Sequence, residues 1–132
     1  MRLLIAALLC SALFVRSATL LLGAPLLQKA AKVAKPQINP LQNDPGASIA
    51  GEKLFARECS GCHGEGGKGR GRPHTPVLAT DLVRRANPGA LFWILRNGSS
   101  SHRMPSFSHL PEEQRWQIIT FLQNRGLRSM KE

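Results

Sequence analysis

Apolar residues recur at helical spacing in three stretches of the chain, and nowhere do they alternate with a period of two for long. The first stretch starts near Asp44–Ser48, with Asp44 before Pro45, or Ser48, as N-cap, and runs to about Glu58. Its apolar face is predicted to carry Ile49, Leu54, Phe55 and finally Cys59. Gly51 in that helix costs about 1 kcal/mol relative to Ala, which predicts the close approach of another backbone there. The second stretch spans 87–98: Asn87 is placed as N-cap, Pro88 at the first helical position and Gly98 at the stop. Leu91, Ile94 and Leu95 form its predicted buried stripe. The third runs from Pro111 to about Arg125, with Glu112 and Glu113 suiting the N-terminal dipole and Gly126 ending it. Trp116, Ile119 and Leu122 share one face, with Ile118 and Phe121 beside it. Ahead of the first stretch, Pro36–Gly46 lacks any period and reads as a linker, and between the first and second, Gly64–Gly71 reads as an exposed, flexible, glycine-rich loop. The pattern is that of an all-α domain with irregular loops.

Ahead of this domain the chain changes character. Met1-Arg2 is followed by an apolar run of 13 residues, Leu3–Val15, broken only by Ser11. That is the layout of a signal peptide, with cleavage after Ser17, Ala18 or Ala24. Arg16 interrupts, Ala18–Leu27 is apolar again, and Lys29, Lys32 and Lys35 follow. The rival reading is a retained anchor over residues 3–27, long enough to span a bilayer, in which Arg16 costs about 2.5–3.5 kcal/mol. The expected organisation is a signal peptide or anchor over 1–24, a linker over 25–47 and one domain over 48–132. Either reading places the domain outside the cytoplasm, periplasmic or exported, free or held to the membrane.

The net charge is +10, and Ser48–Ser129 alone holds 12 Lys/Arg against 6 Asp/Glu. A basic surface suits nucleic acid, anionic membrane or an acidic protein. Export excludes nucleic acid as a working partner and leaves an acidic redox protein or a membrane oxidoreductase.

Cys10 lies in the leader, so the domain keeps two cysteines, both in Cys59-Ser-Gly-Cys62-His63. C-x-x-C-H is the attachment signature of c-type haem. On one helical turn positions i, i+3 and i+4 share a face, so the two thiols and the imidazole point together at a flat macrocycle. The thiols form thioethers with the vinyl groups and the imidazole takes one axial position on iron. With no disulfide to spare, a domain of this size takes its covalent staple from the haem.

The second axial ligand is expected to be Met104, since methionine is the common partner of histidine in cytochromes c and the other methionine of the domain, Met130, is near the C-terminus. Met104 lies in a helix-free segment and Pro105 stiffens the backbone beside it. His102 and His109 are close enough in sequence to offer bis-histidine ligation instead. C-x-x-C also serves thioredoxin-like and zinc sites, but no strands flank it, and His74, His102 and His109 are scattered. Gly64-x-Gly66-x-x-Gly69 matches a dinucleotide fingerprint in form only, because no strand precedes it.

From Ile49 to Gly126 the chain resembles a single-haem class I cytochrome c of the short bacterial form. The residues that carry the resemblance are Gly51, Phe55, Cys59-Ser-Gly-Cys62-His63-Gly64, Pro76-x-Leu78, Gly98, Met104-Pro105-x-Phe107, Trp116 and Phe121-Leu122. The resemblance implies a cytochrome c fold of three to four short helices around one covalently bound haem c. It implies that Gly51 and Phe55 meet Ile118, Phe121 and Leu122 where the first and last helices cross. The carbonyl of Pro76 would accept the Nδ1 proton of His63, while Leu78 and Leu95 would line the haem pocket. Phe121 stands where the family often has tyrosine.

The function expected is electron transfer without catalysis: with His63 and Met104 both on iron, no coordination position is open to substrate. The alternatives are a haem c subunit of a membrane or dehydrogenase complex, and a small haem enzyme or sensor whose distal ligand leaves.

Overall fold

The computed structural model describes residues 25–128, with side chains as far as Arg125, so the expected leader over 1–24 lies outside the described residues. Among the described residues there are six helices, a 3₁₀ turn and no strand. The helices are α1 (Pro25–Val33), α2 (Pro45–Glu58), α3 (Ser60–His63), α4 (Asp81–Arg84), α5 (Pro88–Asn97) and α6 (Glu112–Arg128). None is long and apolar enough to cross a membrane.

The central relationship is the crossing of α2 and α6. Asp44 starts α2 by accepting hydrogen bonds from the backbone N–H of Gly46 at 2.7 Å and of Ala47 at 3.2 Å, and Pro45 follows in the first turn. At the crossing, Gly51 lies so close to α6 that a Cβ would land on the main-chain carbonyl of Gln117. One turn on, the Phe55 ring packs against Phe121 with centroids 5.5 Å apart and planes tilted by 50°. Such a pair contributes about 0.5–1.5 kcal/mol beyond the area it buries. Phe55, Ile118 and Ile119 are almost wholly buried there. Ile49, expected on this face, is instead 48% exposed. The contact side of the first turns belongs to Ala47, Ser48 and Gly51, because close helix approach favours small residues over a branched one.

Helix α5 follows its sequence signals. Asn87 Oδ1 accepts from Gly89 N–H at 2.8 Å, Pro88 opens the helix, and Gly98 ends it at φ 69°. Leu91, Ile94 and Leu95 are buried, as are Ala90 and Phe92. Phe92 stacks on Trp116 of α6, with centroids 4.3 Å apart. Helix α6 does not stop at Gly126 but continues to Arg128, since a glycine raises the cost of a helix without ending it.

The stretch expected to be a linker, 25–47, is folded onto the domain. Helix α1 buries Leu27 and Ala30 and packs against α5. The chain then crosses Gly89 so closely that a Cβ there would meet the carbonyl of Lys35. Asn39 is only 1% exposed and donates through Nδ2 to Thr120 Oγ1 at 2.9 Å, while its Oδ1 accepts from Leu41 N–H at 2.9 Å. Asn124 adds a bond to the carbonyl of Gln42 at 2.8 Å. A Pro/Asn-rich stretch without period can still be pinned by side-chain hydrogen bonds, and here it is.

Candidate haem site

Cys59 closes α2, its N–H bonded to the carbonyl of Phe55, and the chain turns at once into the single turn of α3. The N–H groups of Cys62 and His63 both reach the Cys59 carbonyl, at 3.1 and 2.9 Å. The motif therefore occupies one helical turn, with Cys59 and His63 buried and Cys62 half-buried. Neither cysteine is in a disulfide. Burial first, then the charge of Glu58 and the neighbouring Cys62, push the Cys59 thiol up to about 12. A nucleophilic redox thiol needs the opposite shift to supply a thiolate at neutral pH, so Cys59 is not suited to that role.

His63 Nδ1 lies 2.9 Å from the carbonyl oxygen of Pro76. A carbonyl can only accept, so Nδ1 carries a proton, and in the neutral ring Nε2 is then the nitrogen with the free lone pair. That is the tautomer a metal-binding imidazole needs. Pro76 is brought there by the glycine-rich segment, which is not a free loop. Gly69 N–H bonds to the His63 carbonyl at 2.9 Å, and Leu78 and Ala79 both donate to the Gly67 carbonyl, at 2.8 and 3.0 Å. Gly67, at φ 73°, leaves its Cα 's missing side-chain position hemmed by Leu78 and the Phe55 ring. Gly64, at φ 76°, is pressed against the carbonyl of Gly69. The loop is a closed wrap whose turns need glycine, and it delivers Pro76 to His63 and half-buried Leu78 to the core.

Met104 stands on a separate loop, 98–111, half-buried against the core. Its N–H donates to Ser99 Oγ and its carbonyl accepts from Ser99 N–H, each at 3.0 Å. Gly98 makes room: a Cβ there would sit 2.5 Å from the Met104 carbonyl. Further along, Phe107 N–H bonds to the Leu95 carbonyl at 2.8 Å. Beside Met104 is a hollow of about 330 Å³ walled by Trp93, Pro105 and, from α1, Leu26 and Lys29. His74, His102 and His109 are all exposed. Among the described residues no three His, Cys, Asp or Glu side chains converge as a zinc site would require.

Two arginines of α6 were not anticipated. Arg115 is 8% exposed and sits on the apolar stripe with Ile118, Ile119 and Leu122; its misplacement in a polar/apolar pattern is the signal that could have found it. Arg125 lies over the Phe121 ring, 5.4 Å from its centroid, beside Gly66 and Gly67. Burial lowers the pKa of its guanidinium, against the opposing pull of Glu52.

Two unbridged cysteines on one turn, followed at once by a buried histidine whose Nδ1 faces a carbonyl, fit covalently held haem c. Residues 47–122 match the family model described as cytochrome C oxidase, cbb3-type, subunit III. No individual curated protein matches the chain.

Proposed function

From the premise that the chain belongs to the cytochrome c oxidase, cbb3-type, subunit III family, an all-α cytochrome c fold with covalent haem c, we propose that it is a one-electron carrier with His63 and Met104 as axial ligands. Haem c, when bound, supplies a single iron that alternates between the ferric and ferrous states. Cys59 and Cys62 hold it as thioethers. His63 offers Nε2, and the bond from Nδ1 to Pro76 keeps the ring from rotating and raises its basicity. Met104 offers a thioether sulfur, which favours the reduced state relative to a second histidine. Leu78 and Leu95 contribute apolar surface that keeps water away.

The observation that carries this reading is the 2.9 Å contact between His63 Nδ1 and the Pro76 carbonyl. It serves no purpose for a thiol redox pair and fixes the tautomer a metal ligand requires. The test is the absorption spectrum of wild-type and Met104→Ala holoprotein. A Met–Fe charge-transfer band at the red end of the ferric spectrum, lost in Met104→Ala while haem stays attached, is the expected result. High-spin iron in the wild type would favour a small haem enzyme or sensor instead, and an unchanged Met104→Ala spectrum would remove Met104 from the site.

The family match also favours a second reading, in which the chain serves as the haem c subunit of a membrane oxidoreductase rather than as a diffusing carrier. Purification of the full chain from exported and membrane fractions separates the two. Intact mass then reports haem attachment and whether residues 1–24 are retained as an anchor or removed as a signal peptide.

A further inference from the structure

Arg115 is buried, yet its hydrogen-bond partners are main-chain carbonyls rather than a carboxylate. Nη1 reaches the carbonyl of Leu110 at 2.8 Å, of Ser108 at 3.2 Å and of Phe107 at 3.4 Å. The guanidinium carbon lies 4.9 Å from the centroid of the Phe92 ring, which is itself stacked on Trp116. Nε is buried with no partner. A leucine or methionine at this position would fill the same space without burying a charge or stranding a donor. What a cation with several N–H donors can do is gather three carbonyls of a helix-free loop, those of Ser108 and Leu110 and that of Phe107, which also accepts from Leu110 N–H at 3.1 Å.

Those three carbonyls belong to the second half of the loop that carries Met104. The first half is tied to the end of α5 through Gly98 and Ser99, and Phe107 N–H is tied to Leu95. Arg115 supplies the tie to α6, the helix that crosses α2 and so shares a rigid frame with Cys59 and His63. We propose that Arg115 is a positioning residue for the sixth ligand: by gathering the carbonyls of Phe107, Ser108 and Leu110, it fixes the Met104 loop to the helix pair that holds the haem-attachment motif. This rests on the reading of Met104 as the ligand. A ligand on a fixed loop resists displacement by an external base, because releasing it gains little loop entropy; a loosened loop surrenders it more readily.

The test is displacement of Met104 by imidazole in the oxidised holoprotein, followed by loss of the red-end band. Arg115→Met keeps the bulk and removes the donors, and is expected to raise imidazole affinity about tenfold, the scale of a lost hydrogen bond to a charged group. Arg115→Lys keeps the charge and is expected to give a smaller rise. Asn39→Ala, which removes a buried hydrogen bond to α6 away from the loop, is expected to lower resistance to urea while leaving imidazole affinity within about twofold, since that bond is not coupled to the loop. Wild-type affinity in both Arg115 variants, with the wild-type band present, would overturn the inference and leave the Met104 reading intact. An equal rise in Asn39→Ala would also overturn it, by making the effect one of general stability. A wild-type protein without the band would overturn the ligand reading and this inference together. Should Arg115→Met yield no holoprotein, Arg115→Lys alone decides, and an unchanged affinity there overturns the inference.

Discussion

His63 and Pro76 are joined by one hydrogen bond, Nδ1 to main-chain carbonyl at 2.9 Å, across a loop that closes on itself through Gly67 and Gly69. The bond makes the imidazole a preoriented group rather than a side chain awaiting its metal. It also ties the glycine-rich wrap to the site, so that loop closure and ring orientation are one event. His63→Ala is expected to prevent accumulation of haem-bearing protein, because it removes the proximal nitrogen and leaves the Pro76 carbonyl without its donor. Met104→Ala is expected to retain covalent haem. Haem staining after denaturing electrophoresis distinguishes them; equal staining of both variants would mean that His63 is dispensable for attachment.

Two glycines of the same region are expected to respond in opposite ways to alanine. At Gly51 a Cβ collides with the main-chain carbonyl of Gln117, which cannot move without shifting α6. Gly51→Ala should cost about 1–3 kcal/mol, as overpacking does. At Gly61, between the two cysteines, nothing lies within 4 Å of an added Cβ. Gly61→Ala should be neutral, or stabilising by a few tenths to about 1 kcal/mol through helix propensity. Urea denaturation of the two holoproteins measures both, and comparable losses would mean that the helix crossing is not the tight point.

The helices that the sequence announces are those with a cap, a proline in the first turn and a long apolar stripe: Asp44-Pro45 for α2, Asn87-Pro88 with Gly98 for α5. The attachment motif was equally readable, because its chemistry depends on residues four positions apart at most. Helix α1 was not, since it buries only Leu27 and Ala30 and its lysines resemble the flank of a leader. The four-residue α4 has no room for a period. The glycine-rich wrap reads as flexible because composition reports that glycines allow positive φ, not that the fold requires it at Gly64 and Gly67. Arg115 and Asn39 escaped for a common reason: each is a polar residue whose burial is compensated by partners distant in sequence or by carbonyls that leave no mark on it. Ile49 shows the converse, an apolar residue at the right spacing that the crossing geometry turns outward.

Asn39 makes the packed N-terminal segment testable. Its Nδ2 and the Thr120 hydroxyl form a side-chain pair with both residues at 1% exposure or less, and the Thr120 oxygen is also 2.9 Å from the Trp116 carbonyl. Asn39→Ala leaves the Thr120 hydroxyl one partner short, and Thr120→Val leaves the Asn39 amide without its acceptor. Each single change should cost about 1–3 kcal/mol, and the double variant less than their sum, by the coupling expected of groups in contact. Additive losses in a denaturation cycle would mean that the two residues act separately and that 36–44 lies loosely on α6.

Charge gives the last prediction. Lys53, Arg57, Lys68, Arg70, Arg72, Arg85, Arg96 and Arg103 are all exposed, so the basic excess of the domain is carried on its surface. Raising the ionic strength from 0.01 to 0.15 M shortens the screening length from about 30 to about 8 Å, which removes attraction before contact but not the contact itself. Oxidation of the reduced protein by ferricyanide, an anion, should therefore slow over that range, while oxidation by a cationic cobalt complex should hold steady or quicken. Arg70→Glu combined with Arg72→Glu should flatten the ferricyanide dependence if these side chains lie along the route to the haem edge, since steering depends on the charge near the point of approach. Stopped-flow rates at three or more salt concentrations measure the slopes. Identical slopes for the anionic and cationic oxidants would show that electron exchange occurs through a part of the surface that the arginines and lysines do not govern.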